Sequence, residues 1–463
     1  MRKKFQRALF IFRRDLRLED NIGLLFALEN AHEVVLAFIF TPEQITHNPY
    51  RSDHCLQFMI ESLTDLERAL EAKGGKLYLF YAEPENAVTQ CIKKLHVDAV
   101  IVNRDYTPYS IERDRKIESA CNKLGASFNS FDDALLQPPE RTLKADGKPY
   151  MVFTPFYRNA SRMDVPIPRK NRYRNYFSGP VPFASSRELY KKVLPKHTLK
   201  PLGGRERALE ILKSMKSFSS YASARDFPAE SATTNLSPHL KFTTCSSREI
   251  YWAVFKELGS SSEIIRSLYW RDFFTSIAYH FPRVFSGTFY PKFNQLRWSG
   301  DENAFKMWCE GNTGFPIVDA GMREMNNTGF MQNRVRMIVA SFLIKDLHID
   351  WRWGEKYFAQ RLIDYDPAVN NGNWQWCAST GCDAQPYFRI FNPWRQTKRF
   401  DPECVYIKRW VPELALLPAK TILNWDLPKH HQQYGTYRTP MIDHSQQSTL
   451  TLASYKGVKD LSS

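Results

Sequence analysis

At 463 residues the chain is long for one ordinary hydrophobic core, so two domains are the starting expectation. A hydrophobic share of 43% and a charged share of 24% exclude a collagen-like, low-complexity or largely disordered chain. Lys and Arg exceed Asp and Glu by 15, which favours an anionic partner, nucleic acid being the commonest. The longest apolar runs, such as Val34–Phe40, are too short to cross a bilayer, so no membrane partner is expected. Met1–Arg14 is basic but lacks the apolar length and cleavage residues of a secretory signal, and a cytoplasmic location is expected. Of the eight cysteines only Cys377 and Cys382 lie close together. No second pair accompanies them, so reduced thiols are expected and no metal site.

Along the chain, Ala8–Phe12, Val34–Phe40, Leu77–Phe80 and Val97–Val102 read as buried strands, with Ser127–Phe131 a weaker fifth. Helical stretches at Asn21–Ala31, His54–Ala72, Glu85–Leu95 and Ile111–Leu124 alternate with them. That alternation predicts a parallel five-stranded Rossmann-like sheet with helices on both faces. Neither GxGxxG nor GxxxxGK[ST] follows the first strand, so the usual phosphate-binding loops are absent. From about Leu135 to Lys200 prolines recur among basic and aromatic residues, and the stretch reads as an interdomain connection. Beyond Pro201 helical patterns dominate: Arg205–Lys216, Arg248–Leu258, Ile264–His280, Asp301–Cys309, Pro316–Asn327, Asn333–Leu347 and Trp351–Leu362. The expected organisation is an α/β domain over 1–135, a linker over 136–200 and a larger all-α domain over 201–463.

Leu362–Phe391 concentrates paired acids, adjacent asparagines and tryptophans, poor material for a plain amphipathic helix. Such side chains suit either a planar heteroaromatic ligand needing edge hydrogen bonds and stacking, or a buried polar network in a helical core.

Three segments, NNGNWQWCASTGCDAQPYFRIFNP, MQNRVRMIVASFLIKDLHIDW and TGFPIVDAGMREMNNTGFM, are very similar to the cryptochrome/photolyase family, and specifically to its bacterial class I cyclobutane dimer branch. The resemblance runs from FRRDLRLEDN (Phe12–Asn21) to PMIDHSQQSTLTLASYK (Pro440–Lys456). It implies an N-terminal α/β domain, a helical FAD domain, and light-driven repair of pyrimidine dimers in UV-damaged DNA by electron transfer to a flipped-out dimer. A monomer acting at the nucleoid is the associated expectation.

The resemblance also implies roles residue by residue. Asn370 matches the position facing flavin N5, where plant cryptochromes carry Asp and animal ones Cys. Asp364, Asp366, Arg336 and Asn333 match positions around the FAD, and Arg271 a cofactor-side position. Tyr221, Thr233, Thr234, Leu236 and Ser237 match the diphosphate loop, although Asn235 stands where the family often has Arg. Trp374, Trp351 and Trp298 match the chain that carries an electron from the surface to excited flavin. Trp270 and Trp376 match residues flanking the flipped dimer, as photolyases must extrude their target. Asn333 and Met337 match dimer-pocket positions that are histidine in (6-4) photolyases. Arg225 and Arg334 match basic residues near the DNA. Ser267 departs from the family's dimer-contacting Glu, and with the altered diphosphate loop it is the best support for the alternative, a cryptochrome-like photoreceptor. His47, in Thr46-His47-Asn48, matches part of the antenna motif, while Tyr109 and Ser110 depart from it. Methenyltetrahydrofolate, 8-hydroxy-5-deazaflavin, or no antenna at all remain open.

Overall fold

The computed structural model describes residues 3–183, 188, 190, 197–230, 232–435 and 437–460. Parts of the expected connection, 184–187, 189 and 191–196, lie outside the described residues. The chain divides into two compact units, one of Met1–Lys196, Pro201–Ser217 and Asn235–Pro282, the other of His197–Lys200, Phe218–Thr234 and Arg283–Ser463.

The first unit is built on a sheet of β1 (Phe5–Phe12), β2 (Ala31–Phe40), β3 (Leu77–Tyr81), β4 (Ala99–Asn103) and β5 (Ser127–Phe131). All pairings are parallel and the strand order is β3-β2-β1-β4-β5, as the alternation predicts. Leu9 pairs with both Val35 and Val100, and Phe10 with both Leu36 and Ile101, so the centre of the sheet is apolar on both faces. Period-2 alternation sends Leu9, Ile11, Val35, Ala37, Val100 and Val102 to one face. There they meet Val88, Cys91 and Ile92 of α1 (Pro84–Leu95) and Ile117 and Cys121 of α2 (Pro108–Lys123).

Asn235–Pro282 joins this unit through buried charge. Arg17 binds Asp133 with both carboxylate oxygens at 2.7 Å, and Arg248 binds Asp20 and Asp133 at 2.8 Å each. All four side chains are at most 5% exposed, so none can be removed without stranding a partner. α3 (Phe153–Ala160) forms where periodicity breaks down. Its Pro155 sits in the first turn, where a missing N–H costs nothing, and Phe153, Phe156 and Ala160 are buried. Asp272, on α4 (Glu263–His280), accepts from the amides of Leu136 and Gln137 at 3.0 Å.

The second unit is helical. Its core gathers α5 (Glu302–Glu310), α6 (Pro316–Thr328), α7 (Asn333–Ser341), α8 (Trp351–Arg361) and α9 (Pro367–Cys377) around Trp308, Met322, Val335, Phe358 and Trp374. A β-carbon on Gly321 would collide with Val335, so glycine sets the approach of α6 to α7. Past Ser341 the helix loosens into a single π turn, Phe342–Asp346, of the kind that often marks functional ground. Among the described residues no helix is long and apolar enough to cross a membrane, and none of the eight cysteines is joined in a disulfide.

Candidate functional site

α9 carries the densest set of candidates. Asp366 caps it, accepting from the amides of Ala368 at 3.2 Å and Val369 at 3.3 Å, with Pro367 in the first turn. The two asparagines that follow divide the work. Asn371 donates to the Val284 carbonyl at 2.9 Å, and Gln375, one turn on, bonds Val284, Gly287 and the Phe289 amide. These two form the buried polar network. Asn370 instead donates to Glu355 Oε1 at 2.9 Å and to the Glu355 carbonyl at 3.2 Å. Its NH2 group is thereby spent and its amide oxygen is left as an acceptor. Burial pushes Glu355 up to about 7, with the Asn370 bond pulling the other way.

Arg336 donates Nε to the Met331 carbonyl at 2.7 Å and Nη2 to Asp364 at 2.9 Å, with its guanidinium over Phe330. Asp364 is 4% exposed and Arg336 24%, so the pair is anchored on its acidic side and reachable on its basic side. At the start of α7, Gln332 caps the helix and its side chain donates to the Arg225 carbonyl, bringing the Tyr221–Arg225 turn to this point. Arg225 lies over Tyr221, and Arg334 pairs with Asp226 at 2.6 Å while lying over Phe400. Asn333 and Met337 touch, Nδ2 to Sδ 3.8 Å, as residues one turn apart should. Thr233 and Thr234 are half-buried at the end of this unit's Phe218–Thr234 segment.

Trp374 is buried against Phe358 (4.9 Å, edge-on) and Trp308 (6.3 Å). Gly354 lies flat against its indole, where any β-carbon would collide. Trp351 is buried at the start of α8, and Trp298 is half-buried. A bridge between Ser299 and Ile349 ties the two segments that carry these rings.

In the first unit, Trp270 stacks on Phe153 with centroids 3.6 Å apart and planes 8° apart. Arg271 donates to the carbonyls of Ala134 at 2.8 Å and Leu240 at 3.3 Å. Leu236 is buried and Ser237 begins a short helix, Ser237–Lys241. The Ser267 hydroxyl donates to the Glu263 carbonyl at 2.8 Å, within its own helix. His47 is exposed, just past the short helix Pro42–Ile45. Where the strand order reverses between β1 and β4, Asn103 is spent on its neighbours, donating to Asp15 at 2.6 Å and Asn21 at 2.7 Å.

A flavin needs hydrogen-bond acceptors for its ring N–H groups and donors for its carbonyls. The second unit offers both: the Asn370 amide oxygen and Arg336 Nη1 are not used by other described residues. The donor set therefore fits FAD. Two partners of the candidate residues escape the sequence. Glu355 reads as an ordinary helix acid, and Phe153 lies in a stretch without periodicity. Only Phe153 carries a sequence signal, the aromatic-rich run Tyr150–Tyr157.

The matching family models are those of DNA photolyase, over residues 8–171, and the FAD binding domain of DNA photolyase, over 264–457. A deoxyribodipyrimidine photo-lyase from Alkalihalophilus pseudofirmus is 36% identical, covering 96% of this chain and 97% of that protein. The crystal structure of an archaeal photolyase from Sulfolobus tokodaii with two FAD molecules is 41% identical, with a TM-score of 0.87, over 98% of this chain and 100% of that one. A bacterial class III photolyase from Agrobacterium tumefaciens is 35% identical, with a TM-score of 0.90, over 99% of each chain. Two family models in sequence order and relatives similar across nearly the whole length leave one conclusion: the chain belongs to the photolyase/cryptochrome family, with the FAD-binding domain of DNA photolyases.

Proposed function

We propose that this protein is a deoxyribodipyrimidine photolyase of the class I branch, reversing cyclobutane pyrimidine dimers in DNA under blue light. The observation that carries the reading is the orientation of Asn370. Its NH2 group is held by Glu355, so an acceptor is offered where the resemblance puts flavin N5, which suits a flavin kept reduced. The class I assignment rests on the motifs quoted above and the (6-4) alternative is disfavoured by Asn333 and Met337, neither of which can act as acid or base. When bound, FAD supplies a light-driven electron that splits the dimer ring and is then recovered.

The chain's own residues bind, orient and screen. Arg336, backed by Asp364, places positive charge beside the flavin, Tyr221, Thr233 and Thr234 offer hydroxyls to its phosphates, and Asp366 fixes the start of α9. Leu236, Ser237 and Arg271 carry a cofactor role by resemblance. Trp374, Trp351 and Trp298 carry the oxidisable indoles that would relay electrons towards a bound flavin. Asn333, Met337 and Trp376 receive the dimer, and Trp270 is braced for the same purpose by Phe153. Arg225 and Arg334 meet the phosphate backbone, whose contacts dominate affinity. We further propose a monomer acting on nucleoid DNA. The proposed antenna is methenyltetrahydrofolate or 8-hydroxy-5-deazaflavin, and the Sulfolobus protein makes a second FAD a third candidate; the absorption spectrum of the purified protein distinguishes them.

The deciding experiment mixes reduced protein with oligothymidine carrying cyclobutane dimers and follows recovery of thymine absorbance in blue light and in darkness. Light-dependent recovery is expected. A flavin-loaded, photoreducible protein that restores nothing moves the assignment to a photoreceptor.

A further inference from the structure

The second unit holds an acid among cations that the DNA reading assigns to phosphates. Asp226 follows Arg225 at the end of the Tyr221–Arg225 turn, and its Oδ2 accepts from Arg334 Nη2 at 2.6 Å. A third cation is close by. Arg334 and Arg399 share the ring of Phe400, with their guanidinium carbons 4.6 Å and 5.1 Å from its centre. The turn that carries Asp226 is itself fixed, because Gln332 at the start of α7 donates to the Arg225 carbonyl.

Packing does not call for this acid. Among the described residues Arg334 is the one partner of the Asp226 carboxylate, and the two side chains are 19% and 33% exposed, the acid more so. An ion pair this open to water stabilises a fold by about 1 kcal/mol or less. Its effect falls on the arginine instead. Arg334 stands in the first turn of α7, which carries no acid of its own, so the helix dipole disfavours an unpaired cation there. With Asp226 on Nη2 and Phe400 against its plane, the guanidinium is held on two sides, and Nη1 bonds no other described residue.

We propose that Asp226 is a specificity-determining residue, withholding Arg334 from the phosphates of undamaged DNA and so widening the preference for DNA that carries a dimer. The proposal rests on the DNA-repair reading above. Phosphate contacts carry no information about a lesion, so an unpaired arginine favours any duplex equally. A guanidinium paired with a carboxylate adds almost no net charge, and an undamaged duplex, which offers little besides its backbone, loses a contact that releases a counterion. Dimer-containing DNA also has its extruded nucleotide to bind, and depends on that contact less. Specificity of this kind comes from weakening the wrong complex rather than strengthening the right one.

The test uses the flavin-loaded full chain and duplex DNA with and without one thymine dimer. Asp226→Asn keeps the shape of the side chain and removes its charge. It is expected to tighten binding of the undamaged duplex about fivefold and to steepen its salt dependence by about one phosphate contact. Binding of the dimer duplex should change by less than about twofold, so the preference falls, with flavin absorption and photoreduction unchanged. Asp226→Glu, which retains the charge, should retain the parental preference. In an Arg334→Ala background Asp226→Asn should leave the preference where it stands, because the acid acts through that arginine. Equal gains on both duplexes would mark a general charge effect and overturn the proposal. So would an unchanged affinity for undamaged DNA, or an effect that survives Arg334→Ala. Should Asp226→Asn lose its flavin, Asp226→Ser takes its place under the same expectations. An unaltered protein that does not prefer the dimer duplex defeats the DNA-repair reading itself, an outcome visible before any variant is made.

Discussion

The side-chain NH2 of Asn370 donates to Glu355 Oε1 at 2.9 Å and to the Glu355 carbonyl at 3.2 Å, so the acid decides which end of the amide is presented to a ligand. An ionised Glu355 can only accept, which forces the amide oxygen outward. A protonated one can donate to that oxygen and allow the amide to turn over. Burial brings this choice into the physiological range, with Glu355 at about 7.

Glu355→Gln therefore removes a titration as well as a charge. The parent's rate of flavin reoxidation in air should change across pH 6–8, and the variant's should not; a pH series of reoxidation after photoreduction checks this. Stability follows with a defined sign. The folded-state value lies above the ordinary 4.5, so Glu355 costs stability increasingly as pH rises from there through about 7. The variant's advantage in melting temperature should be larger at pH 8 than at pH 5.

Trp374→Phe should abolish photoreduction of oxidised flavin and leave dimer splitting by chemically reduced protein intact, since the indole is the oxidisable group. Its neighbour supplies a subtler variant. A β-carbon on Gly354 would collide with the Trp374 indole and lie 2.5 Å from Leu343 Cδ2. Gly354→Ala should cost about 1–3 kcal/mol from overpacking and slow photoreduction by displacing the ring. Denaturant unfolding and flash photolysis measure the two effects separately.

The α/β sheet was legible because strand and helix periodicities are local properties of consecutive residues. The attachment of Asn235–Pro282 to that unit was not, because it depends on Arg248 meeting Asp20 and Asp133, charges far apart in sequence that read as ordinary surface residues. The same limit applies in the candidate site. Asn370 and Asn371 are indistinguishable by composition, and only the fold shows that one faces Glu355 while the other closes a backbone carbonyl. The buried Lys345 of the π turn hid for the opposite reason: two of its three acceptors are backbone carbonyls, which leave no mark in a sequence.

Phe153 is 1% exposed and lies face to face with Trp270. Phe153→Ala should destabilise the fold by about 3–5 kcal/mol, the usual cost of emptying a buried aromatic site. Phe153→Leu refills most of the volume without the flat ring. It should fold and hold flavin, yet bind dimer-containing DNA more weakly because Trp270 is no longer braced. Equal dimer affinity in Phe153→Leu and parent would show that the stack serves packing alone.

By the resemblance, Ser267 matches the position of the family's dimer-contacting glutamate. Its hydroxyl proton already points into the helix, donated to the Glu263 carbonyl at 2.8 Å, a bond serine makes readily in helix interiors. The side chain then has only lone pairs to offer, the wrong polarity for a dimer gaining negative charge. Ser267→Ala should accordingly leave the quantum yield of repair nearly unchanged. Ser267→Glu should raise it, because a carboxylic acid on the same helical turn can give a proton that serine withholds. The comparison is made on reduced protein under identical blue-light flux, with flavin content matched by absorbance. A Ser267→Ala variant that repairs markedly worse than the parent would show that the hydroxyl leaves Glu263 when the dimer arrives.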